Sequence, residues 1–262
     1  YNLDKGSDEE TSRFKAKRTV PIYSLDVNAL LKKSWSNQSY QQTIEPRIMA
    51  VYIPFHDQND FPVFDTIQPD INHIQLFRKN RYIGQDRIGD TSKLSYGITT
   101  KLFEKSSLEP FMSLTLGQTH YYKERKVTLP NELVNNNNSS AYLAMMKWNI
   151  SKEWSLRLGH MWASDIDQSM KTETRLQYKS NNAKIFNFSY RYRRDMLRQF
   201  DTSFSIPIRD SWNIVGRYNY SIIDKKVFEQ FVGVEYETCC WGIRAVSRKH
   251  LAYRNGESDS SF

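Results

Sequence analysis

Strict two-residue alternation, sustained over stretches of about ten residues, constrains this chain more than any other feature. In Lys184–Arg193, Phe186, Phe188, Tyr190 and Tyr192 fall on one face, and Asn187, Ser189, Arg191 and Arg193 on the other. Thr172–Lys179 repeats the pattern, with Thr172, Thr174, Leu176 and Tyr178 set against Glu173, Arg175, Gln177 and Lys179. Trp212–Ile222 does so again, with Trp212, Ile214, Gly216, Tyr218, Tyr220 and Ile222 set against Asn213, Arg217, Asn219 and Ser221. A helix turning every 3.6 residues cannot sort side chains this way, so these segments are strands.

About twelve segments fit this template: 19–33, 40–54, 93–103, 110–121, 141–150, 154–164, 171–180, 184–194, 199–208, 212–223, 228–238 and 241–251. Globular strands usually run ~5–6 residues, whereas a tilted strand needs ~9–11 to cross a bilayer. Mean hydropathy is −0.68, and no apolar run approaches the roughly 18 residues of a membrane helix. Aromatic residues nevertheless make up 14% of the chain. Aromatic-rich but hydrophilic overall is the product of strands with one greasy and one wet face. Tyr52, Tyr121, Trp148, Trp154, Trp162, Trp212 and Trp241 stand near strand ends, as interfacial girdles require. The expected fold is therefore all-β: an antiparallel transmembrane β-barrel portion.

Connections alternate in length. Segments 34–39, 104–109, 151–153, 181–183, 209–211 and 238–240 are short. Between them lie 56–92, 122–140, 165–170, 195–198 and 224–227, the first two very long. Outer-membrane barrels carry short periplasmic turns and longer external loops, so the short connections are expected in the periplasm. An open arc would leave unpaired strand edges in lipid. The whole chain, 1–262, is thus read as consecutive strands of a larger barrel, with any targeting segment upstream of Tyr1. Cys239 and Cys240, its only cysteines, share one of the short turns. Adjacent cysteines bridge each other only through a strained ring, so their partners are expected outside these residues, in an oxidising compartment.

Several motifs carry a family resemblance along nearly the whole chain. These are RTVP at Arg18–Pro21, QTIEPR at Gln42–Arg47 and VYIPFHDQND at Val51–Asp60. LFRKNRYIGQDRIGD at Leu76–Asp90, ISKEWSL at Ile150–Leu156 and YETCCWGIR at Tyr236–Arg244 complete the set. In this order they resemble the lipopolysaccharide-assembly family LptD. The resemblance implies the C-terminal part of a barrel of about 26 strands, with the N-terminal jellyroll, the early strands and the final strand outside the chain. It implies an outer-membrane translocon component that inserts lipopolysaccharide into the outer leaflet. Its partners would be lipopolysaccharide, the plug lipoprotein LptE and, through the N-terminal domain, the periplasmic Lpt bridge. By motif match, Cys239 and Cys240 would form disulfides with two N-terminal cysteines. No catalytic residue, metal or cofactor is implied.

Polar positions should then face a hydrated lumen. Arg175, Lys179, Arg191, Arg193, Arg217, Arg244 and Arg248 alternate onto that face, with Glu173 and Glu235. Guanidinium groups suit phosphate, because their fork donates two parallel hydrogen bonds; the same charges could equally pair with one another or solvate the interior. A net charge of +8 invites a nucleic-acid reading, but the cations are spread over nearly every strand rather than gathered in one stripe. His56, Asp57, Asp60 and Asp65 lack the glycine-punctuated spacing of a calcium loop. The alternatives to lipopolysaccharide insertion are a generic porin or receptor barrel, and a barrel hydrolase. Segment 61–90 is too long and too apolar for a solvated loop, and is expected to fold onto the barrel through residues such as Ile67, Ile71, Ile74, Leu76 and Phe77.

Overall fold

The computed structural model describes residues 2–3, 14–15, 18–34, 39–69, 72–130, 134, 137–163, 165–209, 211–251 and 258–261. The strands are β1 (Asn2–Leu3), β2 (Phe14–Lys15), β3 (Tyr23–Asn28), β4 (Leu31–Ser34), β5 (Tyr40–Ile53), β6 (Thr91–Glu104), β7 (Met112–Tyr121) and β8 (Tyr142–Asn149). They continue as β9 (Trp154–Ala163), β10 (Gln168–Lys179), β11 (Ile185–Arg193), β12 (Leu197–Arg209), β13 (Trp212–Ser221), β14 (Lys226–Glu237), β15 (Gly242–Leu251) and β16 (Ser258–Ser261). One short helix, α1 (His73–Leu76), precedes β6. β1 pairs with β2 alone. The others form one 14-stranded sheet in sequence order from β16 to β3, with β4 also on β5.

Each of the twelve alternating segments is matched by strand structure. Segment 19–33 is matched by two pieces, β3 and β4, which share one register on β5: Asn28 stands opposite Arg47, and Leu31 opposite Ile44. That register places Pro46 opposite the gap. Proline has no N–H to give the ladder, so the pairing breaks there and resumes beyond it. The tail also pairs, with Ser258–Ser261 lying against Arg248–Leu251.

The chain divides into two compact units. The first comprises Tyr1–Ala29, Arg47–Gly97 and Gly117–Ser140. Its core is Met49, Val51 and Ile53 from alternate positions of β5, buried against Leu76 and Phe77, with Val20 and Ile88 packed alongside. Arg47 lies on the same face, 4.5 Å over the Phe77 ring, and pairs with Asp26 at 2.6 Å. Gly117 makes room for this arrangement, since a Cβ there would collide with the Leu76 side chain.

Polar groups fasten segment 61–90 more than apolar ones do. Arg18 donates to Gln58 Oε1 (2.6 Å) and to the carbonyls of Asp86 (2.7 Å) and Gln85 (2.6 Å). The Asp86 carboxylate accepts from the amides of Phe64 and Asp65 and from the Thr66 hydroxyl. These hydrogen bonds hold the Asp86 carboxyl below its usual range against the opposing effect of burial. Gly84, at φ 100°, sits where a Cβ would meet Thr66 Oγ1 at 2.6 Å. Asp90 accepts from the amides of Lys126 and Val127, while Arg81 and Tyr82 donate to the Val127 carbonyl. Leu76 and Phe77 are buried as expected, but Ile67 and Ile74 are 58% and 72% exposed, and Ile71 lies outside the described residues. Tyr121 departs from the girdle expectation: it shares a face with Thr119, which hydrogen-bonds Ser95, and stacks beneath Arg125 at 3.6 Å.

The second unit comprises Leu30–Pro46, Ile98–Leu116 and Ala141–Phe262, and is almost entirely sheet. Its apolar face carries aromatic pairs at both strand ends. Trp154–Tyr178 and the Trp212–Tyr236–Trp241 series line the end with the short turns. Tyr142–Trp162 and Phe200–Tyr220 line the other.

Candidate functional site

Two features of the second unit carry chemistry: the cysteine turn and the polar face of β8–β15. The turn is closed by the Thr238 amide, which donates to the Trp241 carbonyl (2.9 Å), and by the Thr238 hydroxyl on the same oxygen (3.0 Å). Both thiols are free and exposed. Side chains adjacent on a strand point to opposite faces, which is the expectation for Cys239 and Cys240. Here the backbone has left the strand, and the two sulfurs converge to 2.9 Å. The Cys239 sulfur beside it holds the Cys240 thiol above its ordinary range.

On the polar face, register decides which charges meet. Arg217 is the hub of β12–β15. Its guanidinium binds Asp201 (2.5 Å) and Glu229 (2.8 Å), and Glu229 also takes Arg248 (2.7 Å). Arg244 pairs with Glu235 directly opposite on β14 (2.6 Å). Three of the seven basic residues expected in a lumen are thus neutralised within the sheet.

The other four belong to β10 and β11, and are differently placed. Arg191 stands opposite Gln199, whose amide, with its oxygen and nitrogen exchanged, would accept from Nε (3.3 Å) and from Nη2. Arg193 stands opposite Lys171 in register. Lys179 ends β10, its amide bonded to the Glu153 carbonyl, and lines a cavity of about 710 Å³ with Trp148 and Trp154. Arg175 stands directly opposite Arg157 of β9, which in turn stands opposite Lys147 of β8. Lys147 and Arg157 were not among the residues singled out from sequence. The signal that would have found them is the three-residue turn after Ile150, which aligns Asn149 with Ser155 and therefore Lys147 with Arg157. Below this row runs a neutral amide ladder, Gln177 to Asn187 to Ser203 (2.8 and 3.2 Å). Among the described residues no group of three metal-ligating side chains converges.

The LptD family model, described as LPS transport system D, matches residues 1–212. The chain belongs to this family. Similar proteins include the LPS-assembly protein LptD of Nitrosococcus oceani, 35% identical over 93% of this chain and 33% of its own length. That of Xanthomonas euvesicatoria is 35% identical over 94% of this chain and 32% of its own. That of Xylella fastidiosa is 32% identical over the whole of this chain and 34% of its own. The chain therefore spans about one third of the length of these relatives. As an LptD-family segment it is part of an outer-membrane β-barrel; Phe186, Tyr218 and Val234 share the apolar face of its sheet, and the opposite face is polar. The relatives are named for assembly and transport rather than for a reaction.

Proposed function

We propose that this chain is the C-terminal part of the barrel through which an LptD-family protein inserts lipopolysaccharide into the outer leaflet of the outer membrane. The reading rests on one observation: a family match over most of the chain falls on a continuous antiparallel sheet with one lipid-compatible and one polar face. The polar face would contact lipopolysaccharide and the plug lipoprotein LptE, and the periplasmic Lpt bridge would feed the barrel through the N-terminal domain. The short-turn end of the strands would lie in the periplasm, and with it Cys239 and Cys240. There each would form a disulfide with a cysteine outside this chain, fixing the aim of the periplasmic domain at the barrel entrance. For such bonds to form, the convergent sulfurs would turn away from each other toward separate partners. No residue is assigned a catalytic role.

The test uses cells whose only copy of the full-length protein carries Cys239→Ser, Cys240→Ser or both. Either single variant should deliver lipopolysaccharide to the surface at reduced yield. The double variant should lose the oxidised form on non-reducing gels and stop delivery. A double variant that migrates as the unaltered protein and still delivers lipopolysaccharide overturns the role of the turn. Cells depleted of the protein altogether that keep normal surface lipopolysaccharide, while losing uptake of a small solute, overturn the transport reading in favour of a porin.

A further inference from the structure

We infer that the row Lys147–Arg157–Arg175 is a binding site for a phosphorylated sugar head, a reading that rests on the lipopolysaccharide function proposed above and gives it a location on this chain. The three residues are direct cross-strand neighbours on β8, β9 and β10. All three side chains are exposed on the polar face, and like charges directly opposite one another are destabilising. Among the described residues none of the three has an ion-pair partner, whereas Arg217, Arg244 and Arg248 on the same sheet all do. The acid on this face of β8–β11 is Glu173, and it is taken by Lys171 at 3.1 Å. The sheet therefore holds three cations together at a cost that its own carboxylates do not relieve.

A ligand of opposite charge would supply the counter-charge that the sheet does not. Neighbouring strands lie ~4.8 Å apart, so the row spans about 10 Å, enough to engage two phosphates on one disaccharide. Two guanidinium forks suit phosphate oxygens, each with a pair of parallel hydrogen bonds, and an ammonium adds a point charge. A phosphate brings close to two negative charges, where a peptide carboxylate brings one. The amide ladder Gln177–Asn187–Ser203 borders the row, offering neutral donors and acceptors of the kind that sugar hydroxyls use. On the reverse of these strands stand Trp148, Leu156, Leu158 and Leu176, so a ligand reaches the row only from the aqueous side.

The full-length protein, purified in detergent, is titrated with a glucosamine disaccharide phosphorylated at both ends, with the same disaccharide lacking phosphate, and with inorganic pyrophosphate. Arg157→Gln/Arg175→Gln should weaken the phosphorylated disaccharide about tenfold to a hundredfold and flatten its salt dependence. Arg157→Lys/Arg175→Lys should recover only part of the loss, because charge returns without the fork. The unphosphorylated disaccharide should bind weakly and equally to all forms. Unchanged affinity in the glutamine variant, with the protein still migrating as a folded barrel on unheated gels, overturns the site. Pyrophosphate binding as tightly as the phosphorylated disaccharide overturns the sugar assignment and leaves a free-phosphoanion site. An unchanged titration combined with loss of a co-purifying acidic protein reassigns the row to a protein interface. These titrations do not involve delivery, so depletion that leaves surface lipopolysaccharide intact defeats the proposed function without touching them.

Discussion

Strands β8–β11 and β12–β15 share one sheet and one kind of apolar face, yet treat charge in opposite ways. On β12–β15, arginines at alternating positions find acids on the next strand: Arg217 takes Asp201 and Glu229, Arg248 shares Glu229, and Arg244 takes Glu235. On β8–β11 the register sets Lys147, Arg157 and Arg175 against one another. The difference lies in the supply of acids: the polar face of β8–β11 offers Glu173, already taken by Lys171, whereas β12–β15 carries Asp201, Glu229 and Glu235. Arg217, Arg244 and Arg248 reach carboxylates and belong to the wall; Lys147, Arg157 and Arg175 reach none among the described residues, and their charge is left for something else.

The comparison concerns the polar face alone, so the apolar faces of the two regions should respond alike. Tyr190→Arg in β11 and Val234→Arg in β14 should each cost about 2–4 kcal/mol, the penalty for a cation facing mid-membrane lipid. Ser189→Arg, one residue away on the polar side, should cost far less. Urea titration of the full-length protein, read by its gel mobility without heating, measures all three. Unequal costs for Tyr190→Arg and Val234→Arg would break the premise that the two regions share an outer surface.

On the polar face the regions should part. Arg217→Ala removes charge-assisted hydrogen bonds to two carboxylates whose side chains are only 12% and 17% exposed. Leaving Asp201 without its cation, while Glu229 keeps Arg248, should cost about 1–2 kcal/mol, low for a buried pair because the Arg217 side chain itself is partly solvated. Arg175→Ala breaks no ion pair and should change the urea midpoint little. Equal losses for the two alanine variants would abolish the distinction between a neutralised and an unneutralised wall.

Much of this architecture was legible in the sequence because period two and connection length are local signals. Lys184–Arg193 alone shows which side chains share a face, and the strand ends fall within a few residues of where the alternation stops. Pairings that depend on register were less visible. That Arg217 meets Asp201 and Glu229, and that Arg175 meets Arg157, follows only once the offset of each hairpin is fixed, and the bulges at Ser169–Lys171 and Asn219–Tyr220 shift that offset. The fastening of segment 61–90 was hidden for another reason. Its apolar residues suggested burial, but Ile67 and Ile74 are exposed, and the order comes from Arg18, Asp86 and Asp90 bonding to backbone groups far away in sequence. The motifs around those residues were recognisable while their mechanical role was not. The cysteine turn shows the opposite limit: strand alternation would put Cys239 and Cys240 on opposite faces, but the backbone there has left the strand and the two sulfurs converge.

The smallest effect sharpens the comparison most. Arg175→Glu places a carboxylate between Arg157 of β9 and the Ser189–Asn187 region of β11, converting a repulsive cross-strand pair into an attractive one. Opposite charges directly across a strand pair contribute roughly 0.2–1 kcal/mol, and like charges cost a similar amount. Exposure and salt trim both, so the urea midpoint should rise by the equivalent of about 0.5 kcal/mol. The gain should shrink at high salt and vanish when Arg157→Gln removes the partner. A substitution that stabilises the barrel while ending its hold on a phosphorylated sugar would show that the row is kept at the expense of stability. If Arg175→Glu instead destabilises the protein at every salt concentration, then Arg175 has a structural partner, and β8–β11 is as self-neutralised as β12–β15.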